Sequence, residues 1–203
     1  MWFRQLIDNQ TQALTYVLGD PASKEVVVLD PQPRDWPLLQ ALTDDFGGKL
    51  KAILLTHNHQ PDRLQRLLAL KHPLFYAGRW HCLPGTGAAW PTSHLPLGNT
   101  TLRMLPTPGH TLECTSFLWE DRLFCGDLLD TSLCTEQPQP QDTARLWESQ
   151  QQQVLTLPAD TLLYPAHIIH GRMVLNLHDY PRLSAGGERL RSRDVFMSAL
   201  ENH

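Results

Sequence analysis

The sequence has no apolar run near the roughly 18 residues that a membrane span needs, and no dense Lys/Arg run accompanies its net charge of −4. A membrane-spanning protein and a nucleic-acid binder are both disfavoured. Met1-Trp2-Phe3-Arg4-Gln5-Leu6-Ile7-Asp8 holds no apolar h-region, so no signal peptide is expected. The four cysteines, Cys82, Cys114, Cys125 and Cys134, lie at irregular spacings without a C-x-x-C pair. A zinc ribbon is therefore disfavoured. They read as reduced, mostly core thiols in a cytoplasmic protein. No repeat at solenoid periods and no internal boundary is visible, so residues 1–203 are expected to form one domain.

What is present is an ordinary globular composition, 41% hydrophobic and 19% charged. Strands are expected at 2–7, 13–19 and 25–30, where β-branched and aromatic residues flank the turn signal Gly19-Asp20-Pro21, giving an antiparallel meander. A helix follows over 35–46, with Leu38, Leu39, Leu42 and Phe46 on its apolar face and Gly47-Gly48 ending it. The apolar run 51–55 reads as a buried strand, and 62–71 as a helix with Pro61 at its first turn. A short strand at 74–77 precedes a surface loop over 78–99. Further strands are expected at 100–105, at 114–119 and 122–125 as a hairpin, and at 162–164. Asp142 caps a helix over 142–155 whose Gln150-Gln151-Gln152-Gln153 run reads as a solvated face, and an amphipathic helix over 189–200 closes the chain. Strands in runs, with helices between the later ones, make an α+β or layered α/β domain.

Four of these strands end in a sharp turn carrying a metal-capable side chain: His57 and His59, His110, Asp127, and His167. In open α/β sheets ligands collect beyond strand ends, and imidazole and carboxylate are the usual ligands of zinc and non-haem iron. Pro108-Gly109 would aim the His110 ring through a tight turn. Asp127, just after a strand and Gly126, would be costly there unless paired or metal-bound. Each residue alone is a weak signal, since His72, His81, His94, His170, His178 and His203 mark no site. The joint pattern carries the weight.

Thr56-His57-Asn58-His59, Thr107-Pro108-Gly109-His110-Thr111, Gly126-Asp127 and Tyr164-Pro165-Ala166-His167 resemble, in this order, the motifs of the metallo-β-lactamase superfamily. The branch most resembled is that of the persulfide dioxygenases, with glyoxalase II (hydroxyacylglutathione hydrolase) as neighbour. Phe3-Arg4-Gln5-Leu6, Leu29-Asp30-Pro31 and Pro181-Arg182-Leu183 add to the likeness. The resemblance implies a four-layer αβ/βα sandwich with a metal site at one edge of the sheets. It implies a single Fe(II) held by His57, His110 and Asp127, with zinc as the alternative. His59, Asp62 and His167 would then be supporting groups or further ligands.

Two departures bear on function. The family's T-H-x-H-x-D-H continues here as Gln60-Pro61-Asp62-Arg63. Without a gap, Pro61 and Asp62 replace the motif's Asp and last His; with one inserted residue, Asp62 keeps the Asp role and Arg63 replaces the His. Either way the second metal position is lost, because proline has no ligand atom and arginine stays cationic. The dioxygenase segment R-G-C-G-R-T-D-F, associated with glutathione, is also absent. Leu128-Leu129-Asp130-Thr131-Ser132-Leu133-Cys134-Thr135-Glu136 stands there, with Cys134 at the motif's Cys and Glu136 in place of its second arginine. A bidentate clamp on a carboxylate becomes a repulsion. Three readings stay open: an iron-dependent persulfide dioxygenase yielding sulfite, a zinc-dependent (thio)ester hydrolase, and a non-catalytic metal-binding member. The expected partner is a small-molecule thiol persulfide or thioester, with no nucleic acid and no membrane, and a homodimer remains an option.

Overall fold

A computed structural model describes residues 1–82, 90–180 and 192–201. Two six-stranded sheets, ordered β1-β2-β3-β4-β5-β6 and β12-β11-β10-β9-β8-β7, pack face to face. In the first, β1 (Trp2–Ile7), β2 (Leu14–Gly19) and β3 (Glu25–Leu29) form the antiparallel meander. β4 (Lys49–Leu54) and β5 (Leu74–Tyr76) then add in parallel through α1 (Trp36–Asp45) and α2 (Pro61–Leu68), and β6 (Arg79–His81) closes the edge. In the second, β7 (His94–Leu97), β8 (Thr100–Pro106), β9 (Thr115–Trp119) and β10 (Arg122–Gly126) are antiparallel neighbours. β11 (Leu162–Pro165) joins β10 in parallel after α3 (Thr143–Ser149), and the short β12 (Leu175–Asn176) follows. α4 (Arg193–Glu201) lies last. No helix among the described residues is long and apolar enough to cross a membrane.

Strand alternation builds the layers. Leu14, Tyr16 and Leu18 of β2 point between the sheets, where they meet Phe117, Trp119 and Phe124. Val17 of the same strand, with Val26 and Val28, faces Trp36, Leu39 and Leu67 of α1 and α2. On the far side Leu123, Cys125 and Leu163 face Leu146 and Phe196 of α3 and α4. The result is helix, sheet, sheet, helix. Strands buried on both faces read as continuous apolar runs, which is why β2, β3 and β9 were legible.

Three expectations need correction. The stretch 78–99 is not one loop, since it carries β6 and β7, with 83–89 outside the described residues. β6 follows the two-residue hairpin turn Ala77-Gly78 and β7 leads into another, Gly98-Asn99, with φ of 53°, 72° and 58° at Ala77, Gly78 and Gly98. Three or four residues are too few to show periodicity. On α1, Leu39 is buried as expected, but Leu38 is 51% exposed, and Trp36 and Thr43 face inward with Leu39, a spacing that follows the helical period. The glutamine run is not wholly solvated. Gln150 is 2% exposed, and its Nε2 donates to Leu128 O at 2.6 Å where α3 widens into a π-helical turn over Gln150–Val154. Of the closing helix expected over 189–200, residues 189–191 lie outside the described residues.

Candidate metal centre

β3, β4, β8, β10 and β11 all run toward the same edge of the sandwich, so the loops that leave them meet there. The two sheets are tied at that edge by Leu14 N to Ala166 O, 2.7 Å, and Thr115 N to Thr56 O, 2.9 Å. β4 delivers His57 and His59, β8 His110, β10 Asp127 and β11 His167. The turn before His110 is fixed by Gly109, whose φ of +145° and whose closeness to α3 exclude a side chain; a Cβ there would lie 2.2 Å from the Leu146 Cα. Gly126, at φ +60°, lets Asp127 turn in beneath Thr56, since a Cβ would stand 2.8 Å from Thr56 Oγ1.

His57, His59, His110 and Asp127 form one group, each offering a ligand atom within 4.8 Å of the others. His59 thus stands with the three residues expected to hold a metal. The second carboxylate oxygen of Asp127 sits 3.2 Å from His57 Nε2 and 4.0 Å from His110 Nδ1. Its first oxygen accepts from His167 Nδ1 at 2.7 Å, so His167 orients the carboxylate from outside the group. Asp62 is exposed on the first turn of α2, at the rim of the adjoining cavity and outside the group.

The hydrogen-bond network assigns the ring tautomers. Both Asp30 oxygens are occupied by Thr56, from its N–H at 2.8 Å and its hydroxyl at 2.7 Å. Having donated to a carboxylate, Thr56 Oγ1 can only accept from His57 Nδ1, 2.9 Å away. In the neutral ring the lone pair is then on Nε2, facing Asp127. His110 Nε2 donates to Gln137 O at 3.0 Å, which turns its Nδ1 lone pair inward. Asp30 itself is buried and held at φ 49°, a left-handed conformation uncommon for a residue with a side chain. Neither Asp30 nor Thr56 was singled out from the sequence as part of the site. Both lie within the motifs quoted above, just past the ends of the parallel strands β3 and β4.

Electrostatics agree with this arrangement. Burial, with help from neighbouring imidazoles, lowers His59 and His110 to about 4 each, so both rings are neutral at neutral pH. Burial pushes Asp127 up, but the neighbouring imidazoles of His57 and His167, with the bond from His167, outweigh it and hold the carboxyl far below the usual range. Burial lowers His167, and its bond to Asp127 more than compensates, leaving it raised. Asp127 Oδ2 and His59 Nε2 are buried without a hydrogen-bond partner. Lone pairs crowded at such distances repel unless a cation lies among them. Three imidazoles and a carboxylate therefore fit a single divalent ion.

Beside the group lies a cavity of about 260 Å³ lined by His57, His59, Arg63, Cys134, Glu136 and His167, among others. Arg63 reaches in from α2 and donates to Pro31 O and His57 O, both at 3.3 Å. Across the opening Gln60 hydrogen-bonds Glu136. The thiols nearby are protonated: burial raises Cys114 to about 11 and Cys134 to about 12. All four cysteines are free, with Cys125 and Cys134 buried, Cys114 half-buried and Cys82 exposed.

Comparison with known proteins places these features. No family model matches the chain. It is 30% identical over 198 residues to the mitochondrial persulfide dioxygenase ETHE1 of Homo sapiens, covering 91% of this chain and 77% of the relative. It is 34% identical over 160 residues to a hydroxyacylglutathione hydrolase of Methylococcus capsulatus, covering 75% and 60%. Among solved structures, ETHE1 from Myxococcus xanthus superposes with a TM-score of 0.79 at 26% identity, over 100% of this chain and 91% of that one. The B3 metallo-β-lactamase BLEG-1 superposes with a TM-score of 0.68 at 23% identity, over 94% and 100%, a likeness of fold.

Proposed function

Because this chain belongs to the metallo-β-lactamase superfamily, in the branch of the persulfide dioxygenases and hydroxyacylglutathione hydrolases, we propose that it is a mononuclear persulfide dioxygenase. It would oxidise the outer sulfur of a small thiol persulfide with dioxygen and water, breaking the S–S bond and giving sulfite and the free thiol. The observation that carries this reading is the group of His57, His59, His110 and Asp127, the one such group among the described residues, with the Arg63 guanidinium in the adjoining cavity. That asymmetry supports one metal and disfavours a two-metal hydrolase. The metal assigned is Fe(II), held by His57, His110 and Asp127, with His59 as a further ligand or an orienting ring. When bound, iron supplies open coordination positions at which a persulfide sulfur and dioxygen can meet. The protein's own part is to keep Asp127 ionised through His167, to present His57 Nε2 through Thr56 and Asp30, and to screen the site with the Gln60–Glu136 contact. A core shared by both sheets supports reading residues 1–203 as a single domain.

The test is iron and zinc content of protein purified anaerobically and in air, followed by oxygen uptake on adding a persulfide. Bound iron with persulfide-dependent uptake is expected; protein without iron and without uptake overturns the reading. A zinc-dependent thioester hydrolase is the second reading, favoured by the third imidazole of His59, which makes the set suited to zinc and a bound water. Zinc in the purified protein and acyl-thiol hydrolysis abolished by His110→Ala would establish it instead.

A further inference from the structure

Arg63 is unlike the other cations in its surroundings. Arg34 pairs with Asp8, Arg122 with Asp121 and Arg145 with Asp142. Arg63 is part-buried, and its only hydrogen bonds among the described residues go to two backbone carbonyls. No ion pair joins it to any described carboxylate. Burial presses its guanidinium down from the usual range, while the charges of Asp30, Glu136 and Asp127 oppose this from a distance. Those carboxylates are committed elsewhere. Asp30 accepts twice from Thr56, Glu136 accepts from Gln60, and Asp127 belongs to the metal group. A guanidinium carries five N–H donors in a planar fork, and carbonyls take two of them here. Holding such a charge out of water without a paired anion is costly. Arg63 lines the cavity that also holds His57, His59 and His167.

We propose that Arg63 is the receptor for an oxyanion on the ligand, a carboxylate or sulfonate carried by a small thiol whose sulfur faces His57, His59, His110 and Asp127. This deepens the proposed function and rests on its thiol-derived ligand. Because Arg63 bonds the carbonyl of His57 itself, the anion it receives must sit close to the metal group. The carboxylate must then lie only a few bonds from sulfur, as in a mercaptocarboxylic acid. Glutathione carries its carboxylates far from its sulfur, at the two ends of a tripeptide. The guanidinium that binds the anion would come from α2, in place of the arginines missing after β10. A planar fork also prefers a bidentate oxyanion to a neutral tail.

The experiment is calorimetric binding of 3-mercaptopropionate and of neutral 1-propanethiol to metal-loaded protein, without dioxygen so that no turnover occurs. Wild type should bind the acid at least tenfold more tightly. Arg63→Gln should lose that preference, with unchanged metal content and unchanged affinity for propanethiol, and Arg63→Lys should keep part of it. Equal affinity of wild type for both thiols overturns the proposal, as does a preference that persists in Arg63→Gln. Should Arg63→Gln fail to fold, the wild-type comparison and Arg63→Lys still decide. Binding without turnover separates the two hypotheses: absent oxygen uptake removes the dioxygenase reading, and absent discrimination removes the role of Arg63.

Discussion

Thr56 links a strained aspartate to a metal-facing ring. It is 2% exposed, and its hydroxyl passes the negative end of Asp30 to His57 Nδ1–H, so one side chain sets both the tautomer and the pose of a ligand. Thr56→Val keeps the volume and removes the link. Metal affinity should fall by about 10–100-fold, measured by competition with a chromophoric chelator, with the Zn- or Fe-binding stoichiometry still at one. An unchanged affinity would mean that packing alone holds the ring. At this scale the sequence was legible where a side chain can meet a metal: His57, His59, His110, Asp127 and His167 all converge at one edge. It was not legible for Thr56 and Asp30, because a hydroxyl and a carboxylate act here only through a neighbour that the chain order does not reveal. Asp62, flagged by the motif, stands at the cavity rim because its place on the first turn of α2 points it to solvent.

Among the elements, the turn between β8 and β9 shows how backbone freedom becomes ligand geometry. Gly109 is pinned against α3 by Asp142 N to its carbonyl at 3.0 Å, and Gln141 N holds the His110 carbonyl at 3.1 Å. Gly109→Ala would force a Cβ onto Leu146 at a φ that side chains avoid. The strain and the clash together should cost roughly 2–5 kcal/mol, read as a lower urea midpoint, and displacement of His110 should lower the metal content of the folded fraction. Wild-type stability in that variant would show that the turn relaxes freely. The elements with clear periodicity or β-branched runs were readable from the sequence. β6 and β7 were not, since a strand of three or four residues exists only because β5 or β8 offers it a partner, and Ala77-Gly78 is a faint turn signal. Gln150 escaped for a related reason. Its burial follows from the π-helical turn that rotates it toward the Leu128 carbonyl, and a polar run gives no hint of such a turn.

In the whole molecule the site depends on how the two sheets are held together. Tyr16 of β2 is 1% exposed and donates to Pro165 O of β11 at 2.5 Å, while its ring meets Phe124 and Tyr164 across the interface. Tyr16→Phe keeps the ring contacts and leaves that carbonyl without its donor. A loss of about 1–3 kcal/mol is expected, seen as a lower urea midpoint at unchanged slope; an unchanged midpoint would locate the inter-sheet bond energy elsewhere. The sequence by itself determined the strands and helices, the likeness to a family and the candidate ligands, because side-chain type and strand ends are local properties. Only the tertiary structure decided that His59 joins the metal group, that Asp30 and Thr56 stand behind His57, and that Arg63 faces the cavity unpaired. Those facts depend on distances between loops far apart in the chain, set when two sheets close on a common core.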